Sequence, residues 1–210
     1  MIKDGFMTYY LIEFRFQGRA KKRVKSIILE VKRKFGIRTK RDIPHITLIG
    51  PLYCKNERRL ITVFEQTCKR YNLMFFKIQG FGSFFWNSVI YFNIEPSEEL
   101  ERFRVDLCNQ LKSFCRLNLY DYRDKFYYHA TIVKKIGFLK YFRIKNHIAK
   151  RPIPKLKQFV IRITLIKNQI ILREYDFPQK KSLTRYSAKS RIIYRKTLSL
   201  LMDRFKNHNV

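Results

Sequence analysis

Acidic residues are scarce in this chain of 210 residues: 16 Asp or Glu stand against 46 Lys or Arg, a formal charge of +30. That imbalance excludes a bystander surface and calls for a partner of opposite sign. Long apolar runs are missing as well, since no window approaches the ~18 to 20 consecutive apolar residues of a membrane span. Met1 to Tyr10 hold no apolar stretch behind a basic start, so no export signal is expected and the cytoplasm is the expected compartment. Cysteine is limited to Cys54, Cys68, Cys108 and Cys115, with no C-x-x-C pair and no Cys/His spacing of the kind zinc needs. Neither a metal nor a disulfide framework is expected, all four cysteines are expected in the core, and no cofactor is expected.

What is present is a core. Hydrophobic residues make up 46% of the chain and aromatics 16%, with 19 Phe and 13 Tyr, so it folds rather than remaining a disordered basic tail. Lys and Arg are spread along the sequence and interleaved with Tyr and Phe, whereas a membrane-surface protein would gather them on one amphipathic helix. The expected partner is therefore nucleic acid and not a membrane.

Residues 7–16 (MTYYLIEFRF) read as a strand. From Gly18 to about Phe35 the apolar positions Val24, Ile28, Val31 and Phe35 recur at helical spacing, and Gly36 ends the helix. His45 to Ile49, between Pro44 and Gly50-Pro51, is a β-branched run expected as a strand closed by a turn. Asn56 is the expected N-cap of a second helix carrying Leu60, Phe64, Thr67 and Tyr71. Strands are expected at about 74–81 and 87–95 around a Gly80-Phe81-Gly82 turn, then a helix started by Pro96-Ser97 with the stripe Leu100, Phe103, Leu107, Leu111 and Phe114. After a polar connection with Asp121 and Asp124, Tyr127 to Val133 reads as another strand. Strand, helix and His-x-Thr strand thus occur twice in one order, which predicts two similar α/β lobes. A helix at about 138–149 and strands near 156–166 and 169–177, joined as a hairpin at Lys167-Asn168, complete a domain over 1–178. Residues 179–210 form a basic C-terminal extension, read as a linker and an amphipathic helix from about 190 with the stripe Tyr194, Leu198, Leu201 and Phe205.

Only four histidines exist, at 45, 129, 147 and 208, and two of them begin the tripeptides His45-Ile46-Thr47 and His129-Ala130-Thr131. With nine Thr in the chain, two such matches arise by chance about 1% of the time. Alternate side chains of a strand share a face, so each imidazole is accompanied by its hydroxyl. Two such pairs facing across a cleft would place two proton-transfer groups and two hydroxyl donors around one small anion. That suits phosphate-ester chemistry without metal: one imidazole acts as base, the other as imidazolium protonates the departing oxygen, and the hydroxyls hold the nonbridging oxygens. The ordinary histidine value of about 6.5 makes both protonation states accessible near neutrality.

Pro44-His45-Ile46-Thr47-Leu48 and Tyr128-His129-Ala130-Thr131-Ile132 resemble the paired signatures of the two-histidine (2H) phosphoesterase superfamily, in its LigT-like branch of 2′-5′ RNA ligases and RNA 2′,3′-cyclic phosphodiesterases. The resemblance covers most of residues 7–177. It implies a bilobal α/β (α+β) fold of two pseudo-symmetric lobes, each an antiparallel sheet with outer helices, around a central cleft. The implied activity is hydrolysis of an RNA 2′,3′-cyclic phosphate to a 2′-phosphate, or reversible joining of RNA ends by a 2′-5′ linkage. His45 and His129 would be the catalytic acid and base, and Thr47 and Thr131 the phosphate-binding hydroxyls. The implied partner is RNA, as tRNA or RNA fragments with 2′,3′-cyclic phosphate ends. Where many members carry an arginine a few residues past the second Thr, this chain has Lys134 and Lys135; Lys134 is then the expected phosphate contact, as a point charge rather than a bidentate fork.

Tyr127, Lys135 and Arg15 are further candidate RNA contacts, Tyr127 because it shares strand parity with His129. His147 and His208 are expected at the surface, and Phe84, Phe85 and Trp86 are expected in core or turn packing, with an aromatic lip as the alternative. A second reading of the same residues is a noncatalytic RNA-binding protein that uses the pocket to recognise phosphate ends. Intact histidines at both positions favour catalysis, because binding needs donors but not a matched acid and base.

Overall fold

The computed structural model describes residues 8–38, 43–123 and 126–207. The chain runs β1 (Tyr9–Arg15), α1 (Gly18–Lys34), β2 (His45–Cys54), α2 (Glu57–Arg70), β3 (Met74–Phe84), β4 (Val89–Pro96), α3 (Glu98–Leu111) and the short β5 (Cys115–Arg116). It continues through β6 (His129–Val133), α4 (Phe138–Ala149), β7 (Leu156–Val160), β8 (Arg162–Lys167), β9 (Ile170–Asp176), β10 (Lys181–Leu183), α5 (Arg185–Lys189) and α6 (Arg191–Asn207). Two antiparallel sheets result, one in the order β10-β9-β8-β1-β2-β5 and one in the order β6-β4-β3-β7. Within them β2-β1-β8-β9 and β6-β4-β3-β7 correspond, so the two His-x-Thr strands occupy matching places. Among the described residues no helix is long and apolar enough to cross a membrane.

Local chemistry accounts for the helices. In α1 the buried residues Val24, Ile28 and Val31 recur at helical spacing. Its end closes with Ile37 N–H on the Lys32 carbonyl at 2.8 Å and Gly36 N–H on that of Arg33 at 3.4 Å, the crossed pair of a Schellman stop. Asn56 caps α2 by accepting from Arg59 N–H at 3.0 Å, and Ser97 caps α3 by accepting from Leu100 N–H at 3.3 Å. Glu98, Glu99 and Glu101 in the first turn of α3 complement the helix dipole.

One apolar core unites the sheets. Phe14 and Phe16, at the end of β1, meet Phe76 of β3 edge-on at 5.2 and 5.5 Å, contacts worth about 0.5–1.5 kcal/mol per pair beyond burial. Phe14 alternates with Glu13 and Arg15 along the strand, so the core lies on one face of the sheet and the polar side chains on the other. Cys68, Cys108 and Cys115 are buried as expected, whereas Cys54 is half-buried opposite Cys115 on paired strands; all are free thiols.

Three local expectations are corrected. Gly80-Phe81-Gly82 is not a turn, because β3 continues to Phe84 with a bulge between Ile78 and Gly80. Gly82 is needed there for room, since a β-carbon would run into the Tyr91 ring. Gly50-Pro51 does not close β2, which continues to Cys54 through an irregularity at this point. Gly50 has φ +110°, and a β-carbon would come within 2.9 Å of the Tyr10 carbonyl oxygen. The single strand expected at 156–166 is two strands in two sheets: β7 pairs with β3, the chain crosses at Ile161, and β8 pairs with β1.

Beyond residue 178, β10 adds an edge strand to the first sheet, and α6 is anchored by a buried polar network. Arg162 donates through Nε to Asp176 at 2.8 Å, through Nη1 to Glu174 at 3.0 Å and through Nη2 to Thr197 of α6 at 2.7 Å. Thr197 in turn donates to Asp176. Arg162 is 2% exposed, so its charge is balanced inside the fold, chiefly by the Asp176 and Glu174 carboxylates.

Candidate active site between the two sheets

The register of the sheets places the paired motifs. On β1 and β2, Arg15 lies opposite His45 and Glu13 opposite Thr47; on β4 and β6, Asn93 lies opposite His129 and Tyr91 opposite Thr131. Both ladders shift just after the Thr, at Leu48 in β2 and Ile132 in β6, each an extra residue facing one partner. A bulge bends and twists its strand and re-aims the neighbouring side chains. Here it lets Leu48 and Ile49, and likewise Ile132 and Val133, be buried consecutively while the His and Thr before them stay half-exposed.

The two imidazoles are oriented alike. His45 Nδ1 lies 2.9 Å from the Ile43 carbonyl oxygen, and His129 Nδ1 lies 2.9 Å from that of Tyr127. A carbonyl only accepts, so each Nδ1 carries the hydrogen, which fixes the ring and turns Nε2 away from that carbonyl. Beyond that the surroundings differ. Beside His45 stands Glu13, wholly buried, with Oε2 3.9 Å from Nε2 and Oε1 accepting from Arg15 Nε at 2.8 Å. His129 is instead flanked by aromatic rings, Phe84 edge-on at 5.4 Å and Tyr91 at 5.2 Å. Burial holds the His129 imidazole below its ordinary value; repulsion from His45 acts the same way, and the Tyr127 carbonyl opposes it.

His45, Thr47, Thr131 and Lys134 line one cavity of about 520 Å³ together with Lys32 from α1. The size suits a small ligand. Tyr127 is half-exposed and meets Phe84 edge-on at 6.3 Å, on the His129 side of the site. Arg15 is a mostly buried partner of Glu13, and Lys135 is exposed with φ +54°. His147 is half-buried between α1 and α4, 3.3 Å from Glu30 and 3.2 Å from Lys34, and does not line the cavity. His208 lies outside the described residues. Trp86 is not packed but 92% exposed.

Glu13, Lys32, Phe84 and Tyr91 were not expected at the site. Glu13 had one available signal, a carboxylate in an apolar strand and two residues from Arg15. The other three reach the site through tertiary packing and strand register alone. Among the described residues no group of three or more His, Cys, Asp or Glu could hold a metal ion.

The model of the 2′-5′ RNA ligase superfamily matches residues 17–167, which include both motifs. The chain belongs to this superfamily. Its solved structural neighbours include E. coli LigT complexed with 3′-AMP, at a TM-score of 0.55 and 13% identity, covering 81% of this chain and 98% of that one. A structure described as a phosphoesterase aligns at a TM-score of 0.52 and 13% identity over 84% of this chain and 93% of its own. At such identities the likeness is one of fold, and the fold is the LigT-like pair of antiparallel sheets with flanking helices. No curated protein sequence matches significantly.

Proposed function

We propose that this member of the superfamily is a metal-independent RNA end-processing phosphoesterase that opens a terminal 2′,3′-cyclic phosphate to a 2′-phosphate. Superfamily membership supports an RNA phosphoesterase or ligase of this general kind. The observation that carries the specific reading is the matched orientation of His45 and His129, each held through Nδ1 by the carbonyl two residues before it: His45, Thr47 and Thr131 line the cavity, and His129 precedes Thr131 on the same face of β6 without lining it.

In this reading His129, kept neutral by burial, takes a proton from water through Nε2 as the water attacks phosphorus. The P–O3′ bond breaks, and His45 as imidazolium gives its proton to O3′. Glu13 supplies the counter-charge for that imidazolium. The Thr47 and Thr131 hydroxyls donate to the nonbridging oxygens, and Lys32 and Lys134 balance the charge that builds there. The same steps with a 5′-hydroxyl in place of water, attacking phosphorus as the P–O3′ bond breaks, join ends through a 2′-5′ linkage, and their reversal cleaves that linkage back to the cyclic phosphate. The excess of Lys and Arg draws the RNA to the site.

The test is incubation with a short RNA ending in 2′,3′-cyclic phosphate in excess EDTA, with identification of the product. Release of the 2′-phosphomonoester supports the proposal. Tight, salt-sensitive binding with no turnover overturns it in favour of a noncatalytic RNA-binding protein.

A further inference from the structure

The β3–β4 hairpin and α4 together carry an exposed aromatic surface that the proposed hydrolysis does not use. Trp86, the single tryptophan, is 92% exposed, Phe138 63%, Phe85 46% and Phe142 37%. The Phe85 ring lies 5.6 Å from Trp86, 6.1 Å from Phe138 and 6.0 Å from Phe142, and Phe138 meets Phe142 at 4.8 Å. Buried Tyr141, 5.8 Å from Phe85, anchors the group from below. A soluble fold gains nothing from presenting four such rings to water, and a contiguous apolar patch of this kind marks an interaction site.

Two observations identify the occupant. The first is position: the patch begins at Phe85, the chain neighbour of Phe84, whose ring lies 5.4 Å from His129 and 6.3 Å from half-exposed Tyr127. The second is charge. Residues 134–145 include Lys134, Lys135, Lys140, Arg143 and Lys145 and no Asp or Glu, and all five are exposed, the last three on α4 itself. A protein partner would meet a surface unusually rich in one charge, whereas interface cores are depleted of Lys. Bases of a single strand stack on aromatic faces of any register, and its phosphates need such cations.

We propose that this surface is a stacking platform for the unpaired nucleotides that precede the phosphate end held in the cleft. The inference rests on the proposed function and narrows its substrate to RNA with a single-stranded 3′ tail. Base stacking on an aromatic side chain is worth roughly 5- to 150-fold per ring.

The experiment compares wild type with Trp86→Ala and Phe138→Ala, both exposed positions, with folding checked by thermal melting. Substrates are a dinucleotide and an unpaired octanucleotide, each ending in 2′,3′-cyclic phosphate, and the octanucleotide annealed to its complement. The expected result is a kcat/KM at least tenfold higher for the unpaired octanucleotide than for the other two, lost in both variants while dinucleotide turnover is unchanged. Trp86 fluorescence should be quenched by the octanucleotide in wild type and less so in Phe138→Ala. Equal turnover of all three substrates, or equal loss on dinucleotide and octanucleotide, overturns the platform. So does a Trp86 response to phosphatidylserine vesicles without one to RNA. If neither RNA is cleaved by wild type, the hydrolysis reading fails, but quenching by the octanucleotide that weakens in Phe138→Ala still supports the platform.

Discussion

Glu13 faces His45, its Oε2 3.9 Å from the imidazole Nε2, and the position that matches Glu13 in the other sheet is Tyr91. The two halves of the site thus share a backbone plan but not an electrostatic one. A buried carboxylate favours a cation beside it, and an aromatic enclosure favours a neutral ring. In the proposed hydrolysis this asymmetry favours the first motif as proton donor and the second as proton acceptor, with the roles exchanged when a 2′-5′ linkage is cleaved back to the cyclic phosphate.

Replacing Glu13 by Gln keeps the shape and removes the counter-charge. On the cyclic-phosphate dinucleotide, kcat is expected to fall about tenfold or more with KM little changed, since the carboxylate acts on the proton donor and not on substrate binding. Steady-state kinetics check this; a change confined to KM would place Glu13 in substrate binding instead.

The His129 ring should titrate below about 6.5, because burial favours its neutral form. A depressed folded-state value means that the unfolded chain takes up the proton first as pH falls. The contribution of this group to stability is therefore complete above about 6.5 and is lost as pH falls through the lower folded value. Activity that needs neutral His129 should likewise persist below 6.5. Ring-proton NMR of His129 reads the midpoint directly, and a value at or above 6.5 would contradict the burial argument.

Gly82→Ala should move the Tyr91 ring, which leans on His129 at 5.2 Å. The expected outcome is a loss of turnover of about fivefold or more with the fold retained. Gly137→Ala, with nothing within 4 Å of the added carbon, is the control and should change neither. Melting curves and kinetics of both variants separate a site effect from general damage.

Arg162→Ala leaves the Asp176 and Glu174 carboxylates buried without their cation and should cost about 3–5 kcal/mol in urea unfolding. Thr197→Val removes hydroxyl bonds to both Arg162 and Asp176 and should cost about 1–3 kcal/mol. A loss below about 0.5 kcal/mol in Thr197→Val would mean that α6 contributes little to the stability of the sheet.

Where the sequence is legible, one strand or helix carries its own signal. Asn56 and Ser97 announce their helices because a cap is a contact three residues long, and the α3 stripe from Leu100 to Leu111 repeats at the helical period. The His-x-Thr pairs stand out because strand parity sets imidazole and hydroxyl on one face. What stayed hidden belongs to pairs of strands. The bulges at Leu48 and Ile132, the partnership of Glu13 with Thr47, and the crossing at Ile161 are facts of register between distant segments. Gly80 and Gly82 resemble a turn in one dimension; the Tyr91 ring that explains Gly82 comes from the neighbouring strand.

In the proposed reaction His45 and His129 act together on one phosphate. Single and double alanine variants of the two, assayed on the cyclic-phosphate dinucleotide in EDTA, test it most directly. The expected result is a loss of kcat of about 10²- to 10⁴-fold in each single variant and little further loss in the double, because an acid and a base serving one displacement fail as a unit. Turnover that survives either single substitution within a few-fold of wild type would contradict it.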